Sequence, residues 1–143
     1  EASVRVREIL GVEDLAEAST WPDFMRSNRS DYWRRTANPW HYVTVPEGEV
    51  YPDVEVPEWG DAATALSSFR ETLRDDTATP EEQALALRFT VHIIGDLHQP
   101  LHAGNGLDRG GNTYTVTFFD KMTNLSSLKN GMMSSGLGTI SFC

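Results

Sequence analysis

Thr79-Pro-Glu-Glu-Gln-Ala-Leu-Ala-Leu-Arg-Phe-Thr-Val-His92-Ile-Ile-Gly-Asp96-Leu-His98-Gln-Pro-Leu-His102 is the most informative stretch of this 143-residue chain. It opens with a threonine at N-cap, a proline at the first helical position and a glutamate at the third. The threonine hydroxyl and the glutamate carboxylate each satisfy an otherwise orphaned N–H, and the proline has none to satisfy. A helix is therefore expected from Thr79 to about His98. Leu85, Leu87, Phe89, Val91, Ile93 and Ile94 leave it apolar nearly all round, which predicts a central, buried helix. Pro100 ends it.

The remaining chain organises itself around that helix, in a mainly α fold. Val4–Leu10 reads as a short helix stopped by Gly11. Glu13–Thr20 reads as a second, continuing past Pro22 with a break to Asn28. Residues 36–60 hold four of the seven prolines; Pro46, Pro52 and Pro57 disfavour helix there, so a long ordered loop is expected. Asp61 can N-cap a helix to about Arg74. After the glycine-rich run Gly104–Gly111, the β-branched and aromatic Thr113–Phe119 predicts a short strand or hairpin.

Composition removes several function classes. Twelve basic against twenty-one acidic residues give a net charge of −9, which argues against a plain electrostatic DNA or membrane binder. No apolar run approaches the length of a membrane span, and no signal-peptide pattern is present. The chain opens at Glu1 rather than Met, so residues are expected to precede it. With one cysteine, Cys143, no intrachain disulfide can form. Charge is unevenly spread: Arg26, Arg29, Arg34 and Arg35 face only Asp31 within residues 26–35, whereas Lys121–Cys143 contains no acid. That glycine- and serine-rich end, from 126 to 143, reads as divergent from the packed domain of residues 1–125.

The chemistry gathers at the end of the buried helix. His92 and Asp96 stand at i and i+4 and share one helix face. Imidazole nitrogen and carboxylate oxygen are both zinc ligands, at about 2.0–2.2 Å, and a helix mounts them rigidly. His102 follows the Pro100 turn and can face back to the same place. A single His–Asp pair is as readily a satisfied ion pair; three of the chain's four histidines beside one aspartate favour a metal.

The run HxxGDxHQPLHxG, followed by DRGGN and then VTFF…TNL, resembles the zinc-dependent S1/P1 nuclease family. Trp21-Pro-Asp23-Phe-Met-Arg26 resembles the family's Trp-x-Asp-x-x-Arg segment, and Trp40-His41-Tyr42-Val43 its His-aromatic segment. The resemblance runs from about Val4 to Leu125. It implies a helical fold related to zinc phospholipases C, three zinc ions at the bottom of a cleft, and phosphodiester hydrolysis of single-stranded DNA and RNA. It places Asp23, His41, His92 and Asp96 on one zinc, with Asp96 bridging to a second and Asp23 also orienting the attacking water. His102 falls on a ligand of the remaining zinc, and His98 on a supporting position that donates to a ligand or to backbone rather than to metal.

Arg26 is the best phosphate clamp by its fork geometry. Tyr42 matches an aromatic on which a base can stack, and a stack reads no sequence. Asp108 and Asn112, in the glycine-rich turn, are expected near the substrate. The resemblance further implies a secreted or periplasmic monomer with no membrane or protein partner.

Departures from the family pattern matter too. The family's amino-terminal tryptophan and nearby histidine have no counterpart at Glu1. Ser126 and Asn130 stand where histidine and aspartate are expected, and neither is a strong zinc ligand. About one fully liganded zinc is thus expected rather than three. The alternatives are a catalytically inactive zinc-binding remnant, or a helical metallophosphohydrolase acting on small phosphoesters or phospholipids.

Overall fold

The computed structural model describes residues 2–51 and 53–128. The expectations that rest on Glu1, Pro52, Asn130, Cys143 and the rest of residues 129–143 lie outside the described residues. The fold is mainly α. Four helices, α1 (Ala2–Leu10), α2 (Leu15–Met25), α3 (Ala62–Thr72) and α4 (Pro80–Leu97), are joined by short turns and four short strands. The strands are β1 (Val43–Thr44), β2 (Ala103–Gly104), β3 (Thr115–Phe118) and β4 (Lys121–Asn124).

Each helix begins and ends where local chemistry dictates. Gly11 takes a left-handed φ of +67° after α1, a conformation that costs glycine least. Asp14 caps α2 by accepting the Glu17 N–H at 2.7 Å. Pro22 lies inside α2 with no break, and the helix stops at Met25 rather than Asn28. Asp61 and Thr64 form a capping box on α3. Thr79 and Glu82 form the box expected on α4: the hydroxyl accepts the Glu82 N–H at 3.2 Å, and the carboxylate accepts the Thr79 N–H at 2.8 Å.

Helix α4 packs against α1, α2 and α3, which makes it the axis of the helical body. Phe89, Ile93, Ala62, Ala65 and Ala37 form the main core, lined by Trp21, Trp33 and Trp40. Phe89 is wholly buried and sits among aromatic rings, with Phe69 stacked at 5.0 Å and Trp40 edge-on at 5.3 Å. A second cluster, Leu10, Ala18 and Leu87, closes the α1 side. The helix is not buried all round, because Ile94 is 46 % exposed. Arg88, also on α4, pairs with Glu13 at 2.7 Å and lies over the Trp21 ring.

Residues 36–60 are less irregular than their prolines suggest. A 3₁₀ turn covers Asn38–His41, after a π-helical turn at Tyr32–Thr36, and β1 follows directly. Proline at the start of the 3₁₀ turn is compatible with it, since that position needs no N–H partner. Strand β1 then pairs in parallel with β2, Val43 against Ala103 and Thr44 against Gly104. β1 is entered through Tyr42 and β2 directly from His102, and the His102 ring reaches the His41 carbonyl at 2.8 Å. The segment expected as a strand forms the antiparallel hairpin β3–β4, turning at Phe119 and Asp120, which both adopt positive φ. Residues 125–128 turn helical, and Leu128 is buried.

Candidate metal centre and cleft

Four elements deliver one cluster. Helix α4 presents His92 and Asp96, the end of α2 presents Asp23, the Asn38–His41 turn presents His41, and the Pro100–His102 turn presents His102. Asp96 is the hub. Its Oδ2 lies 3.1 Å from His41 Nδ1 and 2.9 Å from His92 Nε2, and its Oδ1 lies 2.9 Å from His102 Nδ1. His41 Nδ1 and His92 Nε2 are 2.8 Å apart, and each is 3.8 Å from Asp23 Oδ1.

Backbone carbonyls orient the rings. His92 Nδ1 donates to the Ser19 carbonyl at 2.7 Å, which leaves Nε2 as the ring nitrogen that faces the cluster. His102 Nδ1 donates to the His41 carbonyl at 2.8 Å. Such outer partners fix the ring and its tautomer in metal sites. His41 Nε2 is buried with no hydrogen-bond partner.

Electrostatics hold Asp96 as a carboxylate. Burial works against its charge, but hydrogen bonds from His102, His41 and His92 outweigh burial and hold it well below the usual carboxylate range. Burial lowers the His41 pKa despite its bond to Asp96. At His92 burial pulls the same way, yet the Asp96 bond and charge win and raise it.

The donor set suits a cation. Two imidazole nitrogens and two carboxylates converge at separations of 2.8–3.8 Å, and a cation would take the place of the protons now shared with Asp96. Ligand atoms around a tetrahedral zinc stand about 3.3 Å apart for bonds near 2.0 Å. The observed separations straddle that value, so shifts of a few tenths of an ångström suffice. Asp23, His41 and His92 alone already bring ligand atoms within 4.8 Å of one another. Mixed nitrogen and oxygen ligands favour zinc over magnesium or calcium, which take oxygen. Asp23 has a side chain 58 % exposed, so the cluster opens toward solvent on that side.

Beside the cluster lies a cavity of about 470 Å³. Arg26, Tyr42, Asp108 and Asn112 all line it, together with His41 and His102. The four residues expected to meet substrate are thus gathered in one cleft. Arg26 is held by Asp23 at 3.4 Å and by the Asn38 side chain at 3.5 Å. His98 stands apart from the cluster: its Nδ1 donates to the Ile94 carbonyl at 2.7 Å, closing the end of α4.

Three contributors escaped the sequence reading. The Ser19 carbonyl that orients His92 has no side-chain signature at all. Asn38 is an ordinary residue before a proline. Arg109 lines the cleft and could have been singled out as the one cation within the glycine-rich run.

Comparison with known proteins agrees with this geometry. Residues 1–135 match the family described as S1/P1 Nuclease. Endonuclease 4 of Arabidopsis thaliana is 33 % identical over 132 residues, which cover 84 % of this chain and 43 % of that protein. Nuclease S1 of Aspergillus oryzae is 32 % identical over 116 residues, 78 % of this chain and 39 % of the relative. Nuclease P1 of Penicillium citrinum is 30 % identical over 135 residues, 89 % and 48 % respectively. The chain spans less than half the length of these relatives. A matching family model over nearly the whole chain, joined to a His–Asp cluster beside a cleft, leads to one conclusion: this chain belongs to the S1/P1 nuclease family.

Proposed function

We propose that this chain is the metal-binding portion of a zinc-dependent phosphodiesterase that cleaves single-stranded nucleic acid. The observation that carries the reading is the convergence of His41, His92, Asp96 and Asp23 from three separate elements, beside a cleft whose wall holds Arg26. A bare phosphodiester repels hydroxide and has a poor leaving group. Zinc in this cluster supplies Lewis acidity, which acidifies water and offsets phosphoryl charge.

The chain's own residues do the rest. The Ser19 carbonyl holds His92 and the Asp96 carboxylate holds His41, each with a ring nitrogen facing the cluster, where a bound cation would replace the proton shared with Asp96. Asp23, the most open of the set, can accept a proton from a water entering from the cleft. Arg26 presents a fork-shaped donor to a phosphate, and its bonds to Asp23 and Asn38 pre-orient it. Tyr42 offers an aromatic face for a base, which suits a substrate with unpaired bases and no sequence preference.

Ser126 lines the same cleft as His102. At this position the family resemblance implies a histidine, and a neutral hydroxyl is a poor replacement. We therefore read the second metal position as weakened, and the unmodified chain as a slow enzyme. The test compares the chain with its Ser126→His/Asn130→Asp variant, both loaded with zinc, on single-stranded and duplex DNA. The variant is expected to bind about one more zinc and to cleave the single strand at least about tenfold faster, the equivalent of 1.36 kcal/mol. Cleavage that persists in strong chelator contradicts zinc dependence. Equal rates and equal zinc content for the two chains contradict the weakened second position.

A further inference from the structure

Arg109 occupies a position that its side chain does not favour. Its φ is +53°, in the left-handed region, within a turn where Gly106, Gly110 and Gly111 also have positive φ. Glycine takes that conformation freely, whereas a long side chain there is strained. Neighbours hold the strained turn in place. Asn112 Nδ2 donates to the Arg109 carbonyl at 2.7 Å, and Asp108 Oδ1 accepts the Gly110 N–H at 3.0 Å. Thr113 adds two donors to the Asp108 carbonyl, its N–H at 3.2 Å and its hydroxyl at 3.1 Å.

Two consequences follow. Asp108 and Asn112 each commit one side-chain atom to the turn, so they brace it while lining the cleft. What the braced turn offers the cleft is the Arg109 side chain, which lines the cavity also lined by Arg26. Among the described residues, no carboxylate lies within 4.0 Å of the Arg109 guanidinium; the same holds for Arg29, Arg34, Arg70 and Arg74, but of these only Arg109 lines the cleft, where Arg26 is already paired with Asp23. In a chain of net charge −9, a cation without a partner on a cleft wall is directed at an anion from outside.

We propose that Arg109 is a second phosphate contact of the cleft, gripping a phosphodiester of the bound single strand that neighbours the one near Arg26. The proposal rests on the nucleic-acid reading above and extends it. Two cations in one cavity can track successive phosphates of a flexible strand, and an arginine fork meets phosphate oxygens without reading base identity. Strain at Arg109 is then the cost of projecting the guanidinium from a tight turn instead of leaving glycine there.

The test measures binding of a fluorescent phosphorothioate oligothymidylate to the zinc-loaded full chain across a range of salt concentrations. Variants Arg109→Gly, Arg109→Gln and Arg109→Lys are compared with the unmodified chain. Each phosphate contact to a single strand adds about 0.7 to the slope of log affinity against log salt. Arg109→Gly and Arg109→Gln are expected to lower the slope by about 0.7 and weaken binding several-fold, while Arg109→Lys keeps the slope. Arg109→Gly should melt no lower than the unmodified chain, because glycine relieves the left-handed backbone, which separates lost contact from lost folding. Unchanged slopes in both the Gly and the Gln variants overturn the role of Arg109 alone. No binding by the unmodified chain overturns this proposal together with the nucleic-acid reading.

Discussion

At Asp96 one carboxylate meets three imidazoles, from His41, His92 and His102. A buried carboxylate without partners would take up a proton rather than stay charged. The three rings keep it ionised, and a charged hub is what a cation needs. Asp96→Asn retains the shape and removes the charge. Because supporting partners of metal ligands already account for about 10–100-fold in affinity, loss of a direct ligand charge is expected to weaken zinc by more than about 100-fold. Competition against a chromophoric chelator measures this. Glu13 and Arg88 form the other strong side-chain pair, at 2.7 Å and only partly exposed. Glu13→Gln removes one charge and leaves Arg88 in a half-buried place, and urea unfolding should show a loss of about 1–3 kcal/mol. Residue identity made the first pair legible, since His92 and Asp96 fall four apart on a helix. The second was hidden, because Glu13 and Arg88 stand 75 positions apart and meet only when the chain folds.

Among the elements, α4 was the easiest to read, because its start is written in local chemistry. Thr79, Pro80 and Glu82 act within one turn and need no tertiary partner. Thr79→Ala is expected to cost about 1 kcal/mol of stability in thermal or urea melts. Glu82 should also leave a pH signature. The Thr79 N–H and then its hydroxyl hold the Glu82 carboxyl below its usual value. With the folded pKa depressed, the stability this group supplies is present above its unfolded pKa of about 4.3 and is lost as pH falls through the folded value. As the pH is lowered through the unfolded value and beyond, melting temperatures should therefore fall less steeply for Glu82→Gln than for the unmodified chain. Elements without a local start signal were harder. Pro22 left a break in α2 open, but the helix continues through it with Pro22 buried, so tertiary packing outweighs the local preference against an interior proline. The strand pair β1–β2 has two residues a side and cannot be found from periodicity, since its register comes from contacts far apart in sequence.

For the molecule as a whole, core and site are one construction. Phe89 is wholly buried between the aromatic rings of the main core, and its ring also lies 6.3 Å from that of His41. Phe89→Ala should cost about 3–5 kcal/mol through the cavity it leaves, and should loosen zinc binding as the His41 turn loses its backing. Periodicity and caps made the helical class legible, and the His–Asp spacing made the pairing of His92 with Asp96 legible. What the sequence could not supply was the meeting of distant segments: the end of α2, the His41 turn and the His102 turn converge only through tertiary packing and the parallel strand register. Function in this chain requires that convergence to hold a metal ion. The most direct measurement is zinc content per chain after dialysis against a weak chelator, for the unmodified protein and for His92→Ala. About one equivalent in the unmodified chain, and a loss of it in the variant, is the predicted result; no retained zinc, three equivalents, or an undiminished equivalent in His92→Ala would contradict it.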